Sequence, residues 1–232
     1  MISKRKFKNA IYEQLARIGK AAASPKRLEL LDLLCQSDRT VEYLASETGM
    51  TVANTSQHLH VLAAARLVEG EREGQYVRYR LTDEAVSRFY LNMRMLAERR
   101  LAEIQQITSQ FLEDNGVLEA VDRESLLKRV RAGEVTVLDV RPEEEYRAGH
   151  IPGAISIPLK ELADHLSELP KDQEVVAYCR GPFCVLAIQA VEILRANGFH
   201  AVRLEDGVLD WRARGFVVER EKCICRMGMV TV

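Results

Sequence analysis

The first half of the chain has apolar residues at helical spacing, interrupted once by a strand-like alternation. Residues 11–34 follow the helical spacing, and Thr40 and Thr51 are the predicted N-caps of two short helices separated by a glycine turn. Between residues 67 and 81 the period changes to two on either side of a Gly-Gln pair, which predicts a hairpin. The order of helix, turn, helix and hairpin is typical of a winged helix-turn-helix.

A second helical stretch follows the hairpin. The spacing predicts one long helix over residues 82–113, with an apolar stripe along its whole length. Because little of the first half remains to cover that stripe, we expect the helix to pair with a second copy in a homodimer. The alternative is a helix that packs back onto its own domain.

Beyond residue 116, strands alternate with helices. Nearly continuous apolar runs at residues 135–140, 174–178 and 202–204 predict strands of a parallel sheet that is covered on both faces. The predicted fold is therefore multidomain, with a mainly α winged helix-turn-helix followed by an α/β domain with a parallel central sheet. We place the domains at residues 1–115 and 116–222, with a cysteine-containing tail at 223–232.

The charge of the chain is unevenly distributed. A chain of 232 residues, 47% of them hydrophobic, is long enough for two cores of ordinary size. Residues 1–100 carry 17 Lys and Arg against 12 Asp and Glu, whereas residues 101–232 carry 16 against 22. The excess of basic residues in the first half indicates that only this half meets a polyanion.

The cysteines are odd in number and widely scattered. There are five of them, and no apolar segment is long enough for a secretory leader or a membrane span. This pattern argues against a disulfide framework and predicts a cytoplasmic protein with reduced thiols and no membrane partner.

In the predicted helix-turn-helix, the second helix would enter the major groove of DNA with its N-terminal end first. Asn and Gln side chains suit bidentate contact with adenine edges, while Ser, Thr and Arg suit phosphates. The predicted DNA-binding residues are Thr51, Asn54, Thr55, Ser56, Gln57, His58 and His60 in this helix, and Arg72, Gln75, Arg78 and Arg80 in the hairpin.

Several segments of this half match a known family at fixed spacing. They are Ser24-Pro-Lys-Arg-Leu28, Ser56-Gln-His-Leu59, and Arg72-Glu-Gly74 with Tyr79. Over residues 10–105 the chain resembles the ArsR family of bacterial repressors. The resemblance implies a homodimer on a palindromic operator of double-stranded DNA, which is released when an inducer binds.

The chain departs from this family where its members hold their inducers. Residues 41–45 read Val-Glu-Tyr-Leu-Ala where many relatives have a Cys-x-Cys metal pair, and residues 82–113 contain none of the histidines that others use. His58 and His60 do not share a helix face. We therefore predict no metal and no cofactor. Cys35, on the helix before the turn, is expected to be a small core residue.

The second half carries a candidate nucleophile. Cys179 follows the predicted strand 174–178, and a helix is expected to begin near Val185. A cysteine between a strand end and a helix N-terminus faces main-chain amides and the helix dipole, which favour a thiolate. Arg180 adds positive charge. The pattern predicts an ionised, accessible Cys179 that attacks sulfane sulfur and becomes a persulfide.

Residues 121–220 resemble the rhodanese superfamily. The matching motifs are Leu138-Asp-Val-Arg141, Glu145-Tyr-Arg-Ala-Gly-His-Ile-Pro-Gly-Ala154, the loop that begins at Cys179, and Asp206-Gly207 with Trp211 and Gly215. By this resemblance Cys179 is the nucleophile, and the other residues of the catalytic loop form a cradle around it, namely Arg180, Gly181, Pro182, Phe183 and Cys184. The resemblance gives structural roles around the pocket to Asp139, Arg141 and His150.

Loop composition separates two kinds of chemistry. Val185 stands where a related phosphatase or arsenate reductase needs an Arg to clamp an oxyanion, which favours sulfur transfer. Cys184 either resolves a persulfide into a sulfur bridge or only lines the base of the loop. Cys223 and Cys225 either bind a soft metal or accept sulfur, or have no role.

Together these features predict a repressor in which Cys179 reacts with a small sulfane-sulfur donor and passes sulfur to a thiol acceptor. The candidate donors are thiosulfate, a polysulfide or a persulfide, and the sulfur state would alter DNA binding. One alternative is a sulfurtransferase enzyme that its first domain only tethers to DNA. Another is a rhodanese fold kept only as a ligand-binding or dimerising module.

Overall fold

The computed structural model describes residues 3–117, 120–121 and 123–221 of the chain, so Cys223 and Cys225 lie outside the described residues. Contacts between residues divide the chain into two compact units, with the division after Ala102. Within the described ranges, no helix combines the length and the apolarity needed to cross a bilayer.

The first unit combines helices with a small antiparallel sheet. Its helices are α1 (Lys4–Ala22), α2 (Pro25–Gln36), α3 (Val41–Thr48), α4 (Val52–Ala64) and α5 (Glu84–Arg100), and its strands are β1 (Arg39–Thr40), β2 (Val68–Glu73) and β3 (Tyr76–Leu81). The strands are ordered β1-β3-β2. Helices α2, α3 and α4 contact one another, and their fully buried Leu31, Leu44 and Leu62 form the core.

Local signals set the boundaries of the helix-turn-helix. The Thr40 hydroxyl accepts a hydrogen bond from the Tyr43 N–H at 3.3 Å, and the Thr51 hydroxyl accepts one from the Asn54 N–H at 3.2 Å. Gly49 ends α3 with a φ of 64°, a left-handed conformation that favours glycine. Strands β2 and β3 form the predicted hairpin. The predicted winged helix-turn-helix is confirmed.

The single helix predicted over residues 82–113 is wrong. Helix α5 ends at Arg100, Leu101 has an extended backbone with φ −109° and ψ 96°, and α6 (Ala102–Asp114) follows it. Tyr90 of α5 is a buried residue of the first unit, whereas Leu112 of α6 packs in a core of the second. One apolar stripe therefore serves two different cores, and the helix breaks between them.

The second unit is an α/β fold around a parallel sheet. Its strands are β4 (Ala120–Val121), β5 (Val135–Asp139), β6 (Ile155–Ser156), β7 (Glu174–Tyr178) and β8 (Ala201–Leu204), and the helices after α6 are α7 (Arg123–Arg131), α8 (Glu143–Ala148), α9 (Leu186–Ala196) and α10 (Val208–Ala213). Neighbouring strands pair in parallel, in the order β4-β8-β7-β5-β6. The predicted parallel sheet is confirmed.

Both faces of this sheet are covered. Ala177 and Ala201 belong to a core that includes residues of α9, whereas Val176 and Val202 belong to the opposite core with Trp211. The apolar runs in these strands are continuous because alternate residues enter two different cores. The domain limits at residues 115 and 222 stay predictions, although the contacts group the chain from Glu103 onward with the second unit.

Candidate functional site

The N-terminal half of α4 presents a polar surface. Thr51, Asn54, Gln57 and His60 are exposed, while Ser56 and His58 are half-buried. The helix begins at the Thr51 cap, so its first main-chain N–H groups and the side chains of Asn54 and Gln57 lie at the same end. This arrangement suits insertion of the helix end into a groove lined with hydrogen-bond acceptors.

Thr55 is not part of that surface, and its assignment as a DNA-binding residue is wrong. Its side chain is fully buried, and its hydroxyl donates a hydrogen bond to the Thr51 carbonyl at 3.0 Å. Thr55 precedes the buried Leu59 and Leu62 by four and seven residues, so it lies on the inward stripe of the helix. The same periodicity was available in the sequence.

The wing, defined here as β2, β3 and their turn, carries arginines that glutamates partly neutralise. Arg78 bonds to Glu73 at 2.8 Å, and Arg80 bonds to Glu69 at 2.8 Å. Glu69 faces Arg80 directly across the hairpin, whereas Glu73 lies on the diagonal from Arg78, two residues beyond its facing partner. Arg72 instead donates to the carbonyl of Gly74 at 3.4 Å, and both Arg72 and Gln75 are exposed.

In the second unit, Cys179 lies between the end of β7 and the start of α9. The main-chain N–H groups of Gly181 and Ala187 donate toward its sulfur. The Sγ atom lies 3.4 Å from the Cys184 carbonyl oxygen. Gly207 packs against the same loop so closely that a Cβ there would lie 2.1 Å from the Arg180 carbonyl oxygen. The loop therefore surrounds the sulfur with main-chain groups.

The predicted ionised and accessible state of Cys179 needs correction. The residue is 3% exposed, and burial together with the neighbouring Cys184 raises the pKa of its thiol. Cys184 is half-buried, and the hydrogen bond that the Cys179 thiol donates to it lowers the pKa of Cys184 to about 7. Because the two thiols are hydrogen-bonded, they titrate as a pair, in which burial opposes a charge on Cys179 and the hydrogen bond favours a charge on Cys184.

Arg180 does not turn its charge toward the loop opening. Its Nε and Nη2 atoms bond to the carboxylate of Glu145, at 3.0 Å and 2.8 Å, and both side chains are buried. The sequence did not identify Glu145 as this partner, because Glu143 and Glu144 precede it on α8 and only packing distinguishes the three. The loop is thus anchored by an ion pair rather than made positive by a free guanidinium.

A second buried network holds the strand ends. The Asp139 carboxylate accepts hydrogen bonds from Arg141 at 2.6 Å and from the Tyr178 hydroxyl at 2.5 Å. Arg141 also donates to the Gly149 carbonyl at 2.7 Å. His150 stacks on Tyr146, with ring centroids 3.8 Å apart. These contacts join β5, β7 and the segment after α8, close to where the cysteine loop starts.

The outer part of the loop is exposed. Phe183 is 48% exposed and Val185 is 42% exposed, while Gly181 and Pro182 are half-buried. Gly181 has a φ of 150°, which favours glycine. Among the described residues, no group of three or more His, Cys, Asp or Glu side chains is arranged to hold a metal ion.

Two family models match this chain. The model described as "Bacterial regulatory protein, arsR family" matches residues 24–70, and the model described as "Rhodanese-like domain" matches residues 122–214. The two matches fall on the helix-turn-helix and on the parallel sheet with its cysteine loop, respectively.

The chain is also similar to curated proteins. It is 47% identical over 212 residues to the HTH-type transcriptional regulator Rv0324 of Mycobacterium tuberculosis, which covers 91% of this chain and 93% of that protein. It is 34% identical over 100 residues to a protein named sulfurtransferase from Allochromatium vinosum, covering 42% of this chain and 92% of that one.

The chain is also similar to parts of solved structures. The homodimeric winged helix-turn-helix DNA-binding domain of Mb0332 from Mycobacterium bovis is 40% identical with a TM-score of 0.41, covering 44% of this chain and 94% of that one. The Alr3790 protein from Anabaena sp. is 35% identical with a TM-score of 0.40, covering 44% of this chain and 80% of that one.

Proposed function

Because the chain belongs to the ArsR family of bacterial transcriptional regulators and carries a rhodanese-like domain, we propose that it is a homodimeric DNA-binding repressor controlled by sulfur bound to Cys179. The proposed sulfur chemistry rests on the position of the Cys179 sulfur. It meets the main-chain N–H groups of Gly181 in the loop and of Ala187 at the start of α9, and it is hydrogen-bonded to the side chain of Cys184. The main-chain N–H groups favour an anionic sulfur on Cys179 and partly offset the cost of its burial.

The proposed DNA interface is the exposed end of α4 together with the wing. Asn54 and Gln57 are exposed beside the first turn of the helix and would contact base edges. Arg72 and Gln75 at the wing tip would contact phosphates or the minor groove. Arg78 and Arg80 would contribute less, because their charge is shared with glutamates.

The proposed dimer interface lies on α1 and α5. Phe7, Ile11 and Leu15 recur every four residues on α1 and are 47–60% exposed, and Leu96 of α5 is 58% exposed. Covering a stripe of large apolar side chains with a second apolar surface removes it from water, which lowers the free energy of the protein. A second copy of the chain supplies such a surface, and a two-fold pair would present two recognition helices to a palindromic operator.

The proposed sulfur step uses both cysteines. The Cys184 thiolate accepts the proton of the Cys179 thiol, and the Cys179 sulfur attacks the outer sulfur of thiosulfate. A new S–S bond forms on Cys179 while the S–S bond of thiosulfate breaks, and its electron pair leaves with sulfite. The products are a Cys179 persulfide anion, a neutral Cys184 thiol and sulfite, so charge and atoms balance.

Intact-protein mass spectrometry combined with gel shifts tests this proposal. The full chain is treated with thiosulfate or polysulfide and bound to a duplex selected by the wild type from random-sequence DNA. We expect the wild type and Cys35→Ser to gain the mass of sulfur and to change their affinity for DNA, and Cys179→Ser to do neither. Equal responses of the wild type and Cys179→Ser would overturn sensing through Cys179.

A second candidate function is steady sulfur transfer by an enzyme that is tethered to DNA. The similarity to a protein named sulfurtransferase favours it. With thiosulfate and cyanide as substrates, this candidate requires sustained thiocyanate production and a DNA affinity that sulfur donors leave unchanged. The regulatory function requires a DNA affinity that changes with the sulfur donor, whether or not thiocyanate forms.

A further inference from the structure

Strand β8 carries a buried arginine that the proposed sulfur chemistry does not yet use. Arg203 is 6% exposed, and its Nε has no hydrogen-bond partner. Among the described residues, Arg203 makes no ion pair within 4.0 Å. A buried N–H group without a hydrogen-bond partner is costly, and the Nε of Arg203 is such a group.

The strand register places Arg203 near the nucleophile. In the parallel pair of β7 and β8, Arg203 lies opposite Ala177, two residues before Cys179. Ala177 and Cys179 face the same core, whereas Val202 and Leu204, on either side of Arg203, face the opposite one. Arg203 therefore lies on the face of Cys179, and the diagonal between strands is within reach of a long side chain.

Electrostatics couples the two residues. Burial lowers the pKa of Arg203, while the negative charges of Glu205 and of the Cys179 thiolate oppose that change. The attraction is mutual, so a positive charge on Arg203 favours a negative charge on the sulfur of Cys179.

The neighbouring cations already have carboxylate partners. Arg180 pairs with Glu145, and Arg141 pairs with Asp139. On α9, the residue whose N–H meets the sulfur is the uncharged Ala187. The titratable and charged groups around Cys179 are Cys184 and Arg180 in the loop, Glu145 on α8, Asp139, Arg141 and Tyr178 at the strand ends, Arg203 on β8, and Glu205 directly after β8. Among the described residues of this set, Arg203 is the cation that forms no ion pair within 4.0 Å, although the charge of Glu205 acts on it.

We propose that Arg203 is a positioning residue that stabilises the anionic sulfur of Cys179, both as the thiolate that attacks and as the persulfide that results. This inference rests on the proposed sulfur chemistry of Cys179. It explains how a buried thiol ionises in a loop whose own arginine is neutralised. It also explains why the site would accept an anionic donor such as thiosulfate, since the arginine offsets the repulsion between the donor and the thiolate.

The pH dependence of Cys179 alkylation by iodoacetamide, on the folded full chain, tests the proposal. Trypsin cleaves after Lys171 and Arg180, so Cys179 and Cys184 fall on different peptides and their alkylation is measured separately. Arg203→Met removes the charge but keeps the bulk, and replacing a buried charge by a hydrophobic residue is often neutral for stability. Arg203→Gln is the second neutral variant, Arg203→Lys keeps the charge, and Arg129→Met removes an arginine that pairs with Glu174.

Without the charge of Arg203, we expect the Cys179 alkylation midpoint to rise by about one pH unit, which corresponds to about a tenfold slower reaction below the midpoint. Arg203→Lys should recover most of the shift, and Arg129→Met should match the wild type. Unchanged midpoints in both neutral variants would overturn the role of Arg203, as would a lysine variant that behaves like them.

Sulfur uptake from thiosulfate by the wild type separates this inference from the function on which it rests. If the wild type takes up sulfur while the neutral variants keep the wild-type pH profile, only the role of Arg203 fails. If the wild type takes up no sulfur on Cys179, the proposed function itself fails.

Discussion

In the first unit the polar side chains assigned to function point outward, whereas in the second unit the groups around Cys179 point inward and pair with one another. Asn54 and Gln57 are exposed on α4, and changing them alters a surface. Arg180 and Glu145 are buried against each other behind the cysteine loop. The difference implies that substitutions at the DNA surface change binding alone, whereas substitutions at the sulfur site change stability and chemistry together.

The largest effect should come from breaking the buried pair. Glu145→Gln leaves the Arg180 guanidinium buried without its carboxylate, and we expect the second unit to lose about 3–5 kcal/mol of unfolding free energy. Urea unfolding followed by the fluorescence of Trp211 measures this change, because Trp211 is the single tryptophan of the chain and is buried in that unit.

Glu143→Gln, on the same helix, is the matched control. Glu143 pairs with Arg147 at the surface, with side chains 61% and 55% exposed, so its loss should cost less than about 1 kcal/mol. If the two glutamine variants unfold at the same urea concentration, the buried Glu145–Arg180 pair does not stabilise the second unit more than the exposed Glu143–Arg147 pair does.

Local features of both units were predictable from sequence, because they depend on near neighbours. The Thr40 and Thr51 caps and the hairpin follow from residues a few positions apart. The parallel strands also follow, since β7 matches its apolar run over residues 174–178. Thr55 has the helical spacing of the buried Leu59 and Leu62, which predicts burial. Assigning it to the DNA surface gave more weight to its hydroxyl group than to its position on the helix.

Contacts between distant residues were not predictable. Arg180 pairs with Glu145, which lies 35 residues away in the sequence, and Asp139 is hydrogen-bonded to Tyr178, which lies 39 residues away. Gly207, which follows β8, packs against the cysteine loop at Arg180 and Gly181. The break at Leu101 depends on two cores that compete for one stripe. In each case the sequence contains the residues, but only the tertiary packing selects the partner.

A smaller effect is expected from crowding the cysteine loop from behind. In Gly207→Ala, the new methyl group would lie 2.1 Å from the Arg180 carbonyl oxygen and 2.7 Å from the Gly181 nitrogen, so the loop must move. We expect a loss of about 1–3 kcal/mol of stability and sulfur uptake on Cys179 slowed by about tenfold or more. Rates of mass gain from thiosulfate measure the chemistry.

Gly19→Ala provides the contrast in the other unit. Apart from its chain neighbours and the backbone of its own helix, no described atom lies within 4 Å of a Cβ added to this glycine. Sulfur uptake should therefore be unchanged and helix α1 slightly stabilised. Wild-type sulfur uptake by the Gly207→Ala protein would mean that the reaction of Cys179 does not require the cysteine loop to stay in this position.

The smallest effects should appear at the wing, where the outward-facing surface is itself partly paired. Arg72 bonds only weakly to a carbonyl, whereas Arg80 is shared between Glu69 at 2.8 Å and Glu71 at 3.7 Å. If each phosphate contact contributes about one unit to the slope of log affinity against log salt, Arg72→Gln should reduce that slope by about one. Arg80→Gln should reduce it by less.

Glu69→Gln should change the salt dependence of DNA affinity in the opposite direction to the two arginine variants. Removing this carboxylate leaves Arg80 with only the more distant Glu71, at 3.7 Å, so more of its charge is available to a phosphate. The salt slope and the affinity at low salt should therefore both rise. Fluorescence anisotropy on a labelled duplex at several salt concentrations measures all three variants under the same conditions. Equal slopes for Arg72→Gln and Arg80→Gln would mean that the wing pairs open on DNA, and the surface would then act as a set of free cations.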